Sequence, residues 1–362
     1  MIRSAAAIFT RDLKKFINNP FVIMFTLFMP IMYLVIFGNA MGGTITHIPI
    51  AVVQEMPYID ESPLYVTTVA ELRHYSQSDN PRTFDVTAYY DEMKAKRDLR
   101  DGKVNAVIVF PSPELPDRSI RMYIDSSEYV TPSLIESGLN AVLVKEGAHA
   151  SVETYKIYGD IKYIQFFGVG VIVMAIFMTT MMGGGIALIK DREMGIIEGY
   201  LVTPVRKSSI ILGMIGSGTV RAFLSGLIIF IVDLLITGII VQNPEDFLYV
   251  FMILFITSIG ITSFMVAMAS RFSNQQEYAS ASAFFNLILF MTSGAFYPVI
   301  GMPDWLRWIT VINPEYYAVH ALRSTILRGQ GLEVIGFDIF ALCVFSAITI
   351  TLGIVTYRRT LE

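Results

Sequence analysis

Lys190-Asp-Arg-Glu-Met-Gly-Ile-Ile-Glu-Gly-Tyr-Leu-Val-Thr-Pro-Val-Arg-Lys207 is a short, charged stretch between two long hydrophobic runs. A spanning helix needs about 20 predominantly apolar residues, and both neighbours meet that requirement. The charged stretch therefore sits at a membrane face, where a soluble partner can reach it.

Six stretches of the 362-residue chain have spanning length: Phe21–Met41, Tyr163–Ile189, Thr219–Val241, Phe247–Ser270, Tyr278–Tyr297 and Val334–Tyr357. The hydrocarbon core offers no water, so each must be helical to satisfy its own backbone. The alternation of barrel strands is absent from them. Composition agrees: 54% of residues are hydrophobic and 16% charged, against about 25% charged in an ordinary soluble domain. The first apolar run is long and lacks a small-residue cleavage site, so it reads as a retained span rather than a signal peptide.

Lys and Arg near span ends orient the chain. Arg3, Arg11, Lys14 and Lys15 precede the first span, and Lys190, Arg192, Arg206 and Lys207 join the second to the third. Arg271 joins the fourth to the fifth, and Arg358 and Arg359 follow the sixth. Six alternating spans put all of these on one face, which makes both termini and the 190–207 stretch cytoplasmic, in a cell (inner or plasma) membrane. Arg307, Arg323 and Arg328 fall on the other face and are fewer. Residues 1–18 carry Ile2, Ala5, Ala6, Phe9, Leu13, Phe16 and Ile17 at helical spacing opposite the basic residues. This pattern suits an amphipathic helix on anionic membrane lipids; the plainer reading is a cytoplasmic tail. Asn18-Asn19-Pro20 ends it.

Residues 44–160 hold 11 of the 27 Lys/Arg and 18 of the 31 Asp/Glu. Half of all charge thus lies in under a third of the chain, which marks a water-soluble insert. Its acidic balance argues against nucleic acid. Ile48–Val53, Phe84–Tyr89, Asn105–Phe110 and Ile120–Ile124 read as strands, with helices at Leu64–Tyr75 and Glu92–Arg100. A polar helix near Pro132–Tyr158 is expected to lead back to the second span. The fold class is an α-helical membrane protein with six transmembrane helices and an inserted extracytoplasmic α/β domain. Its parts are an interfacial helix (1–18), a first span (19–43), the insert (44–160) and the remaining spans (161–362).

Chemistry is sparse. Cys343 is the only cysteine, so no intrachain disulfide exists, and His47, His74 and His149 have no metal-ligand spacing. Gly213-Met-Ile-Gly-Ser-Gly-Thr219 lacks the Lys-Ser/Thr of a phosphate loop; its small residues read as a close helix contact. No cofactor or metal site is expected on this chain. Asp233 lies inside the third span, either as a cavity-lining or ion-coupling acid or as an interhelical hydrogen-bonding group. Arg221, about 18 Å away along the same helix, is too far to pair with it and is expected to snorkel to the cytoplasmic interface.

With these residues in view, the 190–207 stretch resembles the hallmark of ABC-2 type transporter permeases. Arg192, Glu193, Gly195, Glu198, Leu201, Val202, Thr203, Pro204 and Val205 match, while Ile196 replaces the usual Thr and Gly199 and Tyr200 replace helix formers. A second similarity runs through Ser293–Pro298, Met302–Trp308 and Ile312–Arg323, with Asn313, Pro314, Tyr317, Ala318, Val319, Leu322 and Arg323 in place. Gly102–Val109 is similar to a strand signature of the branch with a large external insert.

The resemblance implies the permease of an exporter, not itself an enzyme, moving a small amphipathic drug-like molecule, lipid or peptide. It implies a homodimer with two copies of a separate ABC ATPase, which holds the ATP and Mg, and allows an envelope adaptor. Residues 190–209 become the coupling helix: Arg192, Glu193 and Glu198 make polar contacts, Met194, Ile197 and Leu201 face membrane or partner, and Gly195 and Pro204 shape it. Residues 298–330 become an external re-entrant region carrying Asn313, Pro314, Tyr317 and Arg323; the bland alternative is a loop anchored by Trp305 and Trp308. Two rival functions stay open, an ATPase-independent channel or ion-coupled carrier and a membrane-anchored receptor or scaffold.

Overall fold

The computed structural model describes residues 2–18, 27–28, 30–31, 47–55, 62–75, 82–112, 119–127, 131–146, 151–158, 161–195, 207–241, 243–302 and 304–356. Nearly all of the predicted first span falls outside them, as does the segment 196–206 of the charged stretch. The chain divides into two compact units.

One unit is Met41–Phe166 with Tyr297–Pro303. It contains β1 (Ile48–Gln54), α2 (Pro63–His74), β2 (Phe84–Tyr89), α3 (Glu92–Arg100), β3 (Ala106–Phe110), β4 (Ile120–Ile124), α4 (Thr131–Lys145) and β5 (Val152–Lys156), numbered after the chain's first helix, α1 (Ile2–Ile17). The five strands form one sheet in the order β2-β1-β3-β4-β5. Strand β1 is parallel to β2 and β3, β3 antiparallel to β4, and β4 parallel to β5.

Side chains alternate across a strand, so this sheet has two apolar faces. Ile50, Val52, Ile108, Phe110 and Met122 pack with Tyr65, Leu72, Ile135 and Leu139 of α2 and α4. Ala51, Val53, Val107 and Val109 pack with Ala95 and Leu99 of α3. Asp91 caps α3 by accepting from the Met93 amide at 2.8 Å, and Gly102 turns the chain out of it at φ +72°. Tyr297, the last residue of the predicted fifth span, and Ile300, in the predicted re-entrant region, pack on the larger of these cores.

The polar helix expected over Pro132–Tyr158 is half wrong. It stops at Lys145, and Val152–Lys156 is a strand. Four of that strand's five residues are exposed, so it lacks the apolar alternation by which a strand is read. Pairing with β4 holds it in place, with Val152 against the core and Lys156 3.6 Å from Glu136 of α4.

The second unit is Met1–Ala40, Phe167–Phe296 and Asp304–Glu362. Its helices are α5 (Tyr163–Thr180, beginning at the unit boundary), a π-turn at Met181–Gly185, α6 (Ile186–Glu193), α7 (Lys207–Thr237), α8 (Pro244–Ala269), α9 (Gln275–Thr292), α10 (Asp304–Ile312), α11 (Pro314–Ile326) and α12 (Leu332–Thr356). Among the described residues four helices are long and apolar enough to cross a membrane: Tyr163–Glu193, Ser208–Thr237, Pro244–Ala269 and Leu332–Thr356.

Two spans differ from the sequence reading. Helix α7 starts twelve residues before Thr219. Its first turns are rich in Ser and Gly, which weakens the apolar signal, but those small residues seat neighbours: a Cβ on Gly213 would lie 2.7 Å from Ala5 O, and one on Gly218 2.5 Å from Thr262 Cγ2. The predicted fifth span, Tyr278–Tyr297, is the 18-residue helix α9, which begins with Gln275-Gln-Glu and stops at Thr292. Gly294, at φ +78°, ends it, and α9 is not among the four apolar helices.

Candidate functional site

The charged stretch opens at the last turn of α6. Gly195 takes φ +70°, a conformation open to glycine without strain, and its amide donates to Arg192 O at 3.0 Å. That turn closes the helix just before the segment 196–206. Three consecutive charged residues here reach three directions. Asp191, buried at 2% exposure, accepts from Arg11 Nη2 of α1. Arg192 Nη1 donates to Phe272 O at 2.8 Å, in the α8–α9 turn. Glu193 accepts from the Gln275 backbone amide at 3.0 Å and from the Gln275 side chain, at the start of α9.

Arg192 and Glu193 are thus engaged within the chain. Met194 is 52% exposed and free to meet another surface. Ile197, Glu198, Leu201 and Pro204 lie outside the described residues.

Arg11 also holds Asp12, its Nε at 2.9 Å and Nη2 at 2.6 Å from Oδ1. Asp12 is buried, and burial pushes its carboxyl above the usual range against the pull of Arg11. The face of α1 turned to α7 is accordingly Ala5, Ile8, Phe9 and Asp12, and Ile17 is exposed. This differs from the stripe read from the sequence, because an acid drawn to Arg11 shares a helix face with apolar residues.

Arg221 does not snorkel; it is buried. Its Nε donates to Ser217 O at 3.1 Å, Asp12 lies within electrostatic reach, and Gly183 leaves room for the guanidinium, a Cβ there falling 3.3 Å from Cζ. A partner from α1, which one-dimensional reasoning could not place, offsets the cost of burying the charge.

A second cluster surrounds the end of α9. Asn313 caps α11, its Oδ1 accepting from the Glu315 amide at 2.9 Å, while its Nδ2 donates to Leu289 O at 2.6 Å and Thr292 Oγ1 at 2.9 Å. Pro314 begins α11, where a missing N–H costs nothing. Arg323 Nη2 donates to Gly294 O at 3.1 Å, Tyr317 Oη to Val311 O at 2.5 Å, and His320 Nδ1 lies 2.7 Å from Asp338 Oδ2 of α12. Trp305 and Trp308 are exposed on α10. Asn313, Pro314, Tyr317 and Arg323 are therefore brought together as the fastening of a helical corner.

Asn313→Ala removes a cap and two further bonds. It is expected to cost about 2 kcal/mol, read as a lower melting temperature in detergent. Asn313→Ser, which keeps a capping oxygen, should recover about 1 kcal/mol of that.

Asp233 lies in α7 with 0% exposure, against α5: a Cβ on Gly168 would fall 1.9 Å from its Oδ1. Neither carboxylate oxygen has a hydrogen-bond partner among the described residues. Among the described residues Asp233 thus makes no side-chain interhelical hydrogen bond.

Sequence reading passed over Asp12, Asp191 and Glu315. Asp12 was legible as an acid interrupting the basic run Arg11–Lys15, and Glu315 as the acid after a capping Asn-Pro.

Comparison with known proteins gives a consistent result. The family described as ABC-2 family transporter protein matches residues 19–355. The chain is 21% identical over 365 residues to ABC transporter G family member 20 of Dictyostelium discoideum, covering 91% of this chain and 47% of that protein. It is 27% identical over 198 residues to the inner membrane transport permease YhhJ of Escherichia coli (strain K12), covering 54% and 52%. With the linearmycin resistance permease protein LnrN of Bacillus subtilis (strain 168) it shares 29% identity over 193 residues, covering 50% and 46%. The chain spans about half the length of the relatives it matches here.

Proposed function

This chain belongs to the ABC-2 family of transporter proteins, and on that premise we propose that it is the permease of an ATP-driven exporter, worked through the segment 190–209 by a separate ATPase. As an ABC-2 membrane subunit it is a membrane-embedded transport component of an ABC transporter. The remainder of this reading is finer. Six spans put α1, the termini and the segment 190–209 in the cytoplasm, and the α/β unit lies outside. Two copies of the chain pair with two ATPase copies, which hold ATP and Mg. The cargo is a small amphipathic molecule.

One observation supports the coupling role: Asp191, Arg192 and Glu193, at the start of the segment, tie it to α1, to the α8–α9 turn and to α9. A push on this segment moves three elements together, as a rigid-body switch requires. Exposed Met194 and the downstream Ile197, Glu198 and Leu201 supply the surface that the ATPase receives.

Gentle isolation from the native membrane tests the proposal. An ATPase should accompany the chain, and its ATP hydrolysis should rise on reconstitution with it. Glu198→Arg should lower drug-stimulated hydrolysis at least tenfold with membrane insertion intact. Isolation without any ATPase, together with no stimulation by added ones, would overturn the reading.

A further inference from the structure

We propose that Asp233 is the recognition group for a cationic centre on the transported molecule, so that the cargo is an amphipathic cation such as a lipophilic amine or quaternary onium ion. This rests on the permease reading and names the substrate class for it.

Both oxygens of Asp233 are buried and unpartnered among the described residues. A carboxylate held this way is strongly unfavourable unless it takes up a proton or a counter-charge compensates it. Among the described residues of α5, α7 and α8 no basic side chain lies beside it. Helix α5, which faces the acid through Gly168, contains no charged residue. The only basic residues of α7 are Lys207 and Arg221, and Arg221, twelve residues away, is engaged with Ser217. Helix α8, whose Phe247 packs on Phe230 of α7 with ring centroids 6.2 Å apart, adds only Glu245 and Asp246. Residues 19–46 contain no Lys, Arg or His.

The helix itself gives no help, because Asp233 sits four residues before the end of α7, where the helix dipole disfavours an anion. Glu315 is also buried with unpartnered oxygens, but it lies in the first turn of α11, where the dipole favours it. Of these two acids, Asp233 is therefore the one that lacks compensation among the described residues.

A second copy of the chain cannot provide it in this state, since the carboxyl is already covered within one copy. On the α5 side Gly168 brings backbone against it, so a separation of α5 from α7 uncovers the carboxylate there. The apolar walls of α5 and α7 then receive the hydrophobic body of the cargo while Asp233 takes its positive charge.

The test uses the full permease–ATPase complex in lipid nanodiscs, without nucleotide and with a non-hydrolysable ATP analogue. The probes are tetraphenylphosphonium and its neutral relative triphenylphosphine oxide. The expected result is saturable tetraphenylphosphonium binding that Asp233→Asn weakens at least tenfold, with triphenylphosphine oxide bound equally by both proteins. Should Asp233→Asn not assemble, competition on the unmodified complex decides: the cation must win over the neutral probe at least tenfold, and parity overturns the proposal. Absence of tetraphenylphosphonium binding overturns it as well. So does binding unchanged by Asp233→Asn alongside lost proton-dependent flux, which would make the acid a proton carrier. ATPase association and stimulation are read on the same samples, so failure here with a working complex leaves the permease reading standing.

Discussion

Gly185→Ala is expected to leave little protein that survives extraction as a single folded species. The new methyl group would sit 1.9 Å from Tyr278 Oη and 2.1 Å from its Cζ, and Tyr278 is fully buried with its ring against Phe272. Overpacking of a filled core costs about 1–3 kcal/mol, more where the obstacle cannot move. Here the upper end applies, against a total stability of about 5–15 kcal/mol.

The contact also falls in a sensitive place. Met181–Gly185 is a π-turn, a feature that interrupts the regular helix ladder, and Tyr278 Oη lies 3.4 Å from Met181 O within it. Gly185→Ala combined with Tyr278→Leu removes the obstacle. The pair should be more stable than the glycine variant alone, with a coupling energy above about 1 kcal/mol. Fluorescence-detected size exclusion and thermal unfolding check this, and simple additivity would show that the two residues do not meet.

Arg11→Glu is expected to detach α1 and abolish ATP-driven transport. Arg11 holds both Asp12 and Asp191, each almost fully buried. Its reversal puts a third negative charge beside two. Breaking a buried pair by removing one partner costs about 3–5 kcal/mol, and reversal exceeds simple removal. Because burial already opposes ionisation of Asp12, Asp12→Asn should be much milder than Arg11→Glu. Arg11→Lys keeps the charge but loses the planar fork, and an intermediate effect is expected. Adding Asp191→Arg to Arg11→Glu restores an opposite-charge pair between α1 and α6 and should recover part of the transport. Melting temperature, protease sensitivity of α1 and transport in proteoliposomes report the series. Wild-type behaviour of Arg11→Glu would remove α1 from the coupling path.

Much of the local structure was legible. The strands Phe84–Tyr89 and Ile120–Ile124 and the helix Glu92–Arg100 appear with the boundaries read from their Val, Ile and aromatic content and from the Asp101-Gly102 turn. Val152–Lys156 escaped because an exposed edge strand has no apolar period to detect. The start of α7 escaped because Ser208, Ser209 and the glycines dilute the apolar signal, although Gly213 and Gly216, whose stretch reads as a close helix contact, do meet α1. For the site, the sequence singles out Arg192, Glu193 and Asn313, but not their hydrogen-bond partners Phe272, Gln275, Leu289 and Thr292, which other elements bring to them.

The amino-acid sequence by itself determined where most of the long apolar helices and most strands lie, and which family the chain belongs to. These follow from local composition, periodicity and motif, since a backbone in an apolar medium has few ways to satisfy itself. Only the tertiary structure decided the fate of the charges. Arg221 is buried beside Gly183 and within reach of Asp12, Asp191 answers Arg11 across 180 residues of sequence, and Asp233 faces bare glycine. Whether a charge is tolerable depends on what distant segments bring to it in three dimensions, and periodicity along one helix specifies a face without specifying what covers it.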